Sequence, residues 1–416
     1  MAAARMRETP AHIMAPRLIM LLAVLGLVLL GLVMVYSTSS VIALVKAASP
    51  DEVNPMADML AQLRYAGVGA VAAFVIYRFF PPSVWRSNFV YIVWAAALVL
   101  LVLTELFGTG EDEWGAKRWL SLGPLSLQAS EFAKIALVLV AARLFADMRE
   151  GLLSVKAFFV QVFVLLLVPV FIILKLQSDL GTAMICVVGV FAVMWLGEVP
   201  GRTMAIVAAV VVAVGAIGVL SEPYRLARLM VFMDPWNDGE GGYGTGYQLI
   251  HSLYAIAGGG AGGAGLGNSH EKFLYLTQSE SDFIFAIVAE ELGLWGAAGV
   301  IVLFLLLLYA GMRIARSASD NFGTMVAGGL TIMIAFQAFL NIAMVIGWFP
   351  VVGKPLPFIS SGGSSLIASL MMVGLILSVS RDAAAPDVYD RRRADLRVVR
   401  AAPEPPRGGS TRKGRR

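Results

Sequence analysis

Ten apolar runs, each close to the ~20 residues a helix needs to cross a hydrocarbon layer about 30 Å thick, fill most of this sequence. They lie at Pro16 to Tyr36, Leu60 to Phe80, Asn88 to Phe107, Glu131 to Met148, Val155 to Leu174, Leu180 to Leu196, Thr203 to Leu220, Leu294 to Met312, Thr324 to Ile346 and Ser364 to Ser380. The predicted fold is therefore all-α: a polytopic membrane protein with ten transmembrane helices. Charged residues make up 14% of the chain and hydrophobic ones 58%, which excludes an ordinary soluble enzyme. The single cysteine, Cys186, sits in an apolar run, so no intramolecular disulfide framework and no cysteine-based metal cluster forms within one chain. The first run follows Arg5, Arg7 and Arg17 as a signal peptide does, yet it is long and no clean small-x-small cleavage site follows. It reads as a retained anchor.

Ten spans place both ends of the chain on one side. The second, fourth, sixth and eighth loops carry Arg78, Arg86, Arg143, Arg149, Lys156, Arg202, Arg313 and Arg316, so that side is expected to be cytoplasmic. Residues 1–15 form a short cytoplasmic segment, 16–380 the membrane domain and 381–416 a basic tail. The tail holds 11 Lys/Arg and 5 Asp/Glu, net +6, and the rest of the chain 21 basic and 23 acidic residues, net −2. The basic balance thus belongs to the tail and predicts no nucleic-acid partner. Rich in Arg, Pro and Gly, the tail is expected to be disordered, acting in topology or docking to cytoplasmic partners. The opposite loops carry acidic clusters (Asp51, Glu52; Glu111, Asp112, Glu113; Asp234, Asp238, Glu240) and the one long connection, 221–281. A connection of that length points to function.

Ionisable residues beside membrane spans are costly and become functional candidates by default. Gly115 to Lys134, GAKRWLSLGPLSLQASEFAK, leads into the fourth span, with Ser130 as the expected N-cap. Glu131 and Lys134 are i,i+3 neighbours and form either a structural ion pair or part of a binding surface. Arg118 beside Trp119 suits phosphate at a membrane interface. Asp179, in QSDLGTA, is placed to cap the sixth span. Within the long loop, Gln248 to Ala257 has helical apolar spacing and predicts a short interfacial or re-entrant helix. It is followed by GGGAGGAGLG, Gly258 to Gly267, which packs closely against a helix, serves as a flexible hinge or presents backbone N–H groups to phosphate. His270 and Lys272 come next, facing a pyrophosphate or simply solvated. A single helix from Asp282 to Met312 would be about 46 Å long, too long for the membrane, so a bend or break is expected near Gly293. Asp282 then starts a partly inserted helix, as an N-cap or as a carboxylate near a polar cavity, and Glu290 and Glu291 lie deeper in the protein. Gly353 to Ser365, GKPLPFISSGGSS, turns into the last span and offers Ser364 at its start.

These motifs together resemble the SEDS proteins (shape, elongation, division and sporulation), membrane peptidoglycan glycosyltransferases that include FtsW, RodA and SpoVE. The resemblance runs from about Pro16 to Arg381 through KRWLSLGPLSLQASEFAK, QSDLGTA, PYRLARLMVFMDPW, GYQLIHSLYAIAGGG, GLGNSHEKFLYL, ESDFIFAIVAEELG and LPFISSGGSS, and it is closer to the FtsW/SpoVE branch than to RodA. It implies polymerisation of lipid II, the undecaprenyl-pyrophosphate-linked disaccharide pentapeptide, on the external face of the cytoplasmic membrane during cell division. It also implies a divalent cation (Mg²⁺ or Mn²⁺), a class B penicillin-binding protein and other divisome membrane proteins as partners, and Asp282 as the essential acid. Three departures stand out: Ala129 and Ser178 replace prolines common in the family and Ser361 a tyrosine. The usual lysine before LPF is displaced to Lys354.

On this reading Asp282 removes the acceptor's proton or binds the metal. Arg118, Lys134 and Lys272 stabilise the leaving diphosphate, and Trp119, Glu131 and Ser364 complete the substrate-binding set, with Asp179, Glu290 and Glu291 as supporting carboxylates. A lipid-linked precursor flippase and a noncatalytic division scaffold are the competing expectations.

Overall fold

The computed structural model describes residues 11–46, 54–111, 116–122, 125–220 and 223–383. The segment 1–10, the acidic residues Asp51, Glu52, Asp112 and Glu113, and the tail from 384 onward lie outside them. Every predicted span is a helix: α1 (Ala11–Lys46), α2 (Ala57–Phe79), α3 (Phe89–Phe107), α4 (Ala129–Arg149), α5 (Val155–Leu176), α6 (Leu180–Leu196), α7 (Gly201–Leu220), α10 (Ile284–Arg316), α11 (Asn321–Val345) and α12 (Gly363–Ala383), with α8 (Pro223–Met233) and α9 (Tyr247–Gly259) in the long connection. Eight of them are long and apolar enough to cross a membrane unaided. The other two are α4, which carries five charged residues, and α6, which is 17 residues long. Both are shielded by neighbours, α4 packing on α3, α6 and α11.

The centre of the bundle is made by α4, α11 and α12, and α12 lies along α2 with a Cβ on Gly374 only 2.7 Å from the Ala73 backbone, an approach that only a missing side chain permits. In α5, Pro169 cannot donate to the carbonyl of Leu165. The helix widens into π turns on either side, and the freed carbonyl accepts the Trp94 indole N–H at 2.8 Å. By contrast, α7 buries none of its residues.

Ion pairs tie one end of the bundle together. Arg86, after α2, holds Glu150 and Asp320, and Arg149 holds Glu198 at 2.7 Å. These pairs unite the second, fourth, sixth and eighth loops. At the same end the Arg17 Nε donates to Ser380 Oγ (2.7 Å) and Arg381 donates to the carbonyls of Tyr77 and Arg78. Hence α1 enters and α12 leaves on the face that carries the basic loops.

Three local expectations are corrected. LSLGPLSL is not a plain lead-in: Leu120–Leu122 and Leu125–Leu127 pair as an antiparallel hairpin, β1 and β2. The alternation of Leu and Ser was the available signal. The residue preceding α4 is Gln128, and Ser130 lies inside the first turn with its hydroxyl buried and unpartnered, so it caps nothing. Finally, α1 runs on past Tyr36, carrying Ser37 into the interior.

The expected break in the eighth span falls at Gly293 (φ 66°, ψ −163°), which divides α10 into a short N-terminal piece and a long C-terminal one. A Cβ there would sit 2.3 Å from the Gly263 nitrogen. The glycine-rich run 258–267 is the reason: Ala264 N donates to Glu290 O (2.9 Å), Gly265 N to Glu291 O (3.0 Å) and Leu294 N to Gly260 O (3.0 Å). Of the roles expected for this run, close packing is the one observed. Gly293→Ala is expected to cost at least about 2 kcal/mol, since both the backbone region and the space exclude a side chain. Thermal unfolding of the detergent-solubilised chain, followed by loss of the monodisperse peak, measures it.

Candidate active site

Asp282 ends the long connection one residue before the N-cap of α10, which is Phe283. It caps no helix. Among the described residues no side chain forms a hydrogen bond or ion pair with its carboxylate, and Gly353 lies against it, where a Cβ would meet Oδ2 at 3.3 Å. Gly353 has φ +62° and lets the chain pass that close. Burial pushes the Asp282 carboxyl up to about 6, against the opposing pull of Lys354 and Arg228; Asp179 adds to the rise and Arg118 opposes it. Asp282 is therefore a carboxylate in a setting of charge but committed to none of it.

Its neighbours are committed. Asp179 caps α6, accepting from Thr182 N at 2.9 Å, as the sequence predicts, and it also binds Lys354 Nζ at 2.6 Å, both side chains being buried. Burial alone would raise the Asp179 carboxyl; Lys354, Thr182 N–H and Arg118 hold it below its usual value. Arg118 donates to the carbonyls of Gln177 (3.0 Å) and Ser178 (2.9 Å), where Ser178 turns with φ 49°. Trp119 is half-buried and bridges Thr109 through its backbone. Ser364 donates to Ser126 O (3.1 Å) and accepts from Gln128 N (2.9 Å), fastening the hairpin to the start of α12.

Two expected diphosphate ligands are enclosed instead. Lys134 is fully buried between Glu131 (2.9 Å) and Gln337 (2.7 Å), so the ion pair is the arrangement adopted and neither Lys134 nor Glu131 faces a ligand space. Lys272 takes neither expected role: it is 2% exposed and bound to Glu291 (2.8 Å) and to Ser37 (3.0 Å) of α1. Glu290 accepts from His270 N at 2.7 Å and from the Ser269 hydroxyl. Glu290 and Glu291 thus support the 264–272 segment, while the exposed His270 ring stacks on Tyr275.

A cavity of about 330 Å³ adjoins this cluster, lined by Arg228, Val231 and Phe232 of α8, by Tyr243 to Thr245 and Tyr247 to Leu249, by Thr277 and by Val351. Asp282 is not in its wall; Arg228 belongs to both, lining the cavity, donating to Val351 O (2.9 Å) and acting on Asp282. The wall loop is shaped by Asp238, whose carboxylate accepts from the N–H groups of Glu240, Gly242, Gly244 and Gly246 at 2.8 to 3.0 Å. Those donors, that of Gly242 first, hold its carboxyl down at about 2. The sequence alone assigns no role to Arg228, Asp238 or Lys354. An arginine in an amphipathic segment and an Asp followed by alternating glycines were the signals available.

With this geometry in hand, comparison with known proteins is direct. Residues 17–385 match the model of the FtsW, RodA and SpoVE family, described as cell cycle protein. The chain belongs to this family. Within it, stage V sporulation protein E of Bacillus subtilis (strain 168) is 39% identical over 379 residues, covering 88% of this chain and 97% of that protein. A protein of Trichlorobacter lovleyi named "Probable peptidoglycan glycosyltransferase FtsW" is 36% identical over 365 residues, 87% of this chain and 92% of its own. The fold is shared with the rod shape determining protein RodA of Thermus thermophilus (TM-score 0.60, 28% identity, 87% of this chain and 96% of that one). It is shared also with a chain of a structure described as the coordination of polymerization and crosslinking by a peptidoglycan synthase complex (TM-score 0.67, 28% identity, 88% and 97%). The bundle is thus a multi-pass membrane fold of the RodA type.

Proposed function

We propose that this chain is a peptidoglycan glycosyltransferase that polymerises lipid II at the external face of the cytoplasmic membrane, at the division septum, with both termini cytoplasmic. The relatives' names and the match to a synthase complex support the reaction class. The observation that carries the reading is Asp282: a carboxylate with no hydrogen bond or ion pair among the described residues, set in the field of Lys354 and of the cavity-lining Arg228, whereas Asp179, Glu131 and Glu291 are each bound to a lysine.

In the reaction an acceptor hydroxyl of one lipid-linked chain attacks the anomeric carbon of another. The new glycosidic C–O bond forms, the bond from that carbon to the diphosphate oxygen breaks, and the lipid diphosphate leaves with the electron pair. Asp282 takes the hydroxyl proton. Arg228, with Arg118 nearby, supplies positive charge to the departing diphosphate, in place of the enclosed Lys134 and Lys272. The cavity is large enough for a sugar-phosphate portion of the substrate, with Tyr243, Tyr247 and Gln248 offered to it, and the remainder extends outward.

A divalent cation of the Mg²⁺ or Mn²⁺ kind suits this set in one way only. Among the described residues no three His, Cys, Asp or Glu form a cage, but Mg²⁺ binds readily through one carboxylate plus substrate phosphates. Asp282 would hold it jointly with the diphosphate, and the ion would add charge stabilisation there. A class B penicillin-binding protein is the proposed partner, alongside other division proteins.

Reconstitution of the full chain in liposomes with labelled lipid II, with and without that partner, is the test. Glycan strands are expected. Labelled lipid that crosses the bilayer unpolymerised would make the chain a flippase, and no change in either respect would make it a scaffold.

Asp282 acts ionised in either role, and burial sets its carboxyl at about 6. The rate is therefore expected to rise with pH, reach half its plateau near 6 and fall about tenfold per unit below. A pH profile of kcat/KM whose acidic limb lies near 4 instead counts against the assignment.

A further inference from the structure

Asn341 lies on α11 and is fully buried, four residues after Gln337 on the same face. Its Nδ2 lies 2.7 Å from the carbonyl oxygen of Asp282 and 2.7 Å from that of Lys354. Both partners are acceptors, so the amide nitrogen faces them whichever way the group is first drawn, and its two hydrogens match two oxygens one to one. The opposite atom, Oδ1, is buried with no partner at all. A polar group in an apolar helix that leaves half of its hydrogen-bonding capacity unmet is a poor stabiliser of that helix. What its other half does is fasten two loops that approach from distant parts of the chain.

Those loops carry the groups that matter. Asp282 is the uncommitted carboxylate. Lys354 follows Gly353, against which the Asp282 carboxylate rests, and its ammonium is anchored on Asp179 and Thr182. One residue on, Pro355 O accepts from Gln337 at 3.0 Å, so α11 grips the same loop twice. Among the described residues no hydrogen bond directly joins Asp282 to Lys354; next to them the connection runs through Asn341, and further along the two loops meet through Ser360, which accepts from Leu356 N and donates to Ser281 O, and through Ser361 N, which donates to Glu280 O at 2.9 Å.

We infer that Asn341 is a positioning residue, a two-pronged clamp that sets where the Asp282 carboxylate stands relative to the Lys354 loop. The inference rests on the functional reading of Asp282 given above. A misplacement of about 1 Å at a reacting group costs about 10²-fold in rate, so the clamp acts on turnover rather than on substrate affinity.

The experiment compares Asn341→Leu, Asn341→Asp and Asn341→Gln in the full chain. Leu has a similar size and neither donor. Ionised Asp keeps the shape but turns an acceptor towards two carbonyls. Gln restores the amide one methylene further out. With lipid II as substrate, kcat is expected to fall about 10- to 100-fold in the Leu and Asp variants with KM within about twofold, and Gln to recover part of the loss. Hydrogen exchange by mass spectrometry is expected to quicken in segments 278–284 and 351–356 of the Leu variant while α11 and α4 keep their protection.

A Leu variant with unchanged kcat and unchanged exchange overturns the clamp. So does exchange that quickens throughout the bundle, which would make Asn341 a general packing residue, or a rise in KM alone, which would make it a substrate contact. Should the wild-type chain form no glycan, the functional reading fails on its own, and the exchange comparison still decides whether the two loops are held by Asn341.

Discussion

Asp282→Asn is expected to reduce glycan formation from lipid II by about 10²- to 10⁴-fold, the range typical of a lost general base, while the protein folds and inserts as before. The structure explains why the two effects separate. The Asp282 carboxylate makes no hydrogen bond or ion pair among the described residues, so the amide breaks no contact that holds the loop. The loop is held by its main chain, through Asn341 to Asp282 O, Ser360 to Ser281 O and Ser361 N to Glu280 O. The stability change even has a favourable sign. Its carboxyl ionises at about 6 in the fold and near 4 in an unfolded chain, so ionisation penalises the fold increasingly between those values and fully above 6. The amide variant should melt no lower than wild type at neutral pH, with any advantage gone below about pH 4. Thermal unfolding at the two pH values, beside the polymerisation assay, checks both halves. A variant that is inactive because it is destabilised would leave the role of Asp282 undecided in activity assays but plain in the melts, and full activity would end the proposal.

Lys354→Met is expected to cost about 3–5 kcal/mol of stability, the cost of breaking a buried ion pair by removing one partner. Lys354 and Asp179 are 3% and 2% exposed, and the ammonium also donates to Thr182 Oγ1 at 2.6 Å. Without it, Asp179 keeps its cap on α6 but is left as a buried charge with little to balance it. Asp179→Asn combined with Lys354→Met should recover most of the loss, because a neutral side chain no longer needs a counter-charge there. The sign against pH follows from the depressed Asp179 carboxyl: the pair contributes above about pH 4 and is lost as acid takes the carboxylate through its lower folded value. Denaturation of the single and double variants in detergent separates the coupling from either residue alone. Equal stability of Lys354→Met and wild type would show that the pair adds nothing.

The spans were legible because lipid imposes one demand on every segment alike, and a run of apolar residues answers it without reference to any other part of the chain. The break at Gly293 followed from length alone, and α9 from apolar spacing at Leu249, Ile250, Leu253 and Ile256. The Asp179 cap was local too: carboxylate and N–H lie three residues apart. Asp282 was legible as a chemical type and by resemblance. What stayed hidden were the partners. Lys272 meets Ser37 across 235 positions and Lys354 meets Asp179 across 175, and nothing in the spacing of either tells a buried pair from a phosphate ligand. Only for Lys134 does the spacing offer the partner, Glu131 three residues before it, and there it leaves the choice between ion pair and binding surface open. Gln337 and Asn341, polar residues one turn apart in an apolar helix, draw no attention in the sequence, and the carbonyls they serve come from loops folded against them.

The two ends of the bundle will answer differently to ionic strength. At the end where the chain's described residues begin and finish, Arg86, Glu150, Asp320, Arg149 and Glu198 are linked at the water boundary, where dissolved ions screen such attractions beyond about 8 Å at physiological concentration. At the other end, the attachments of Lys354 and Lys272 are closed to solvent. Concentrated salt can therefore slacken the fastenings among the basic loops and leave the surroundings of Asp282 as taut as before.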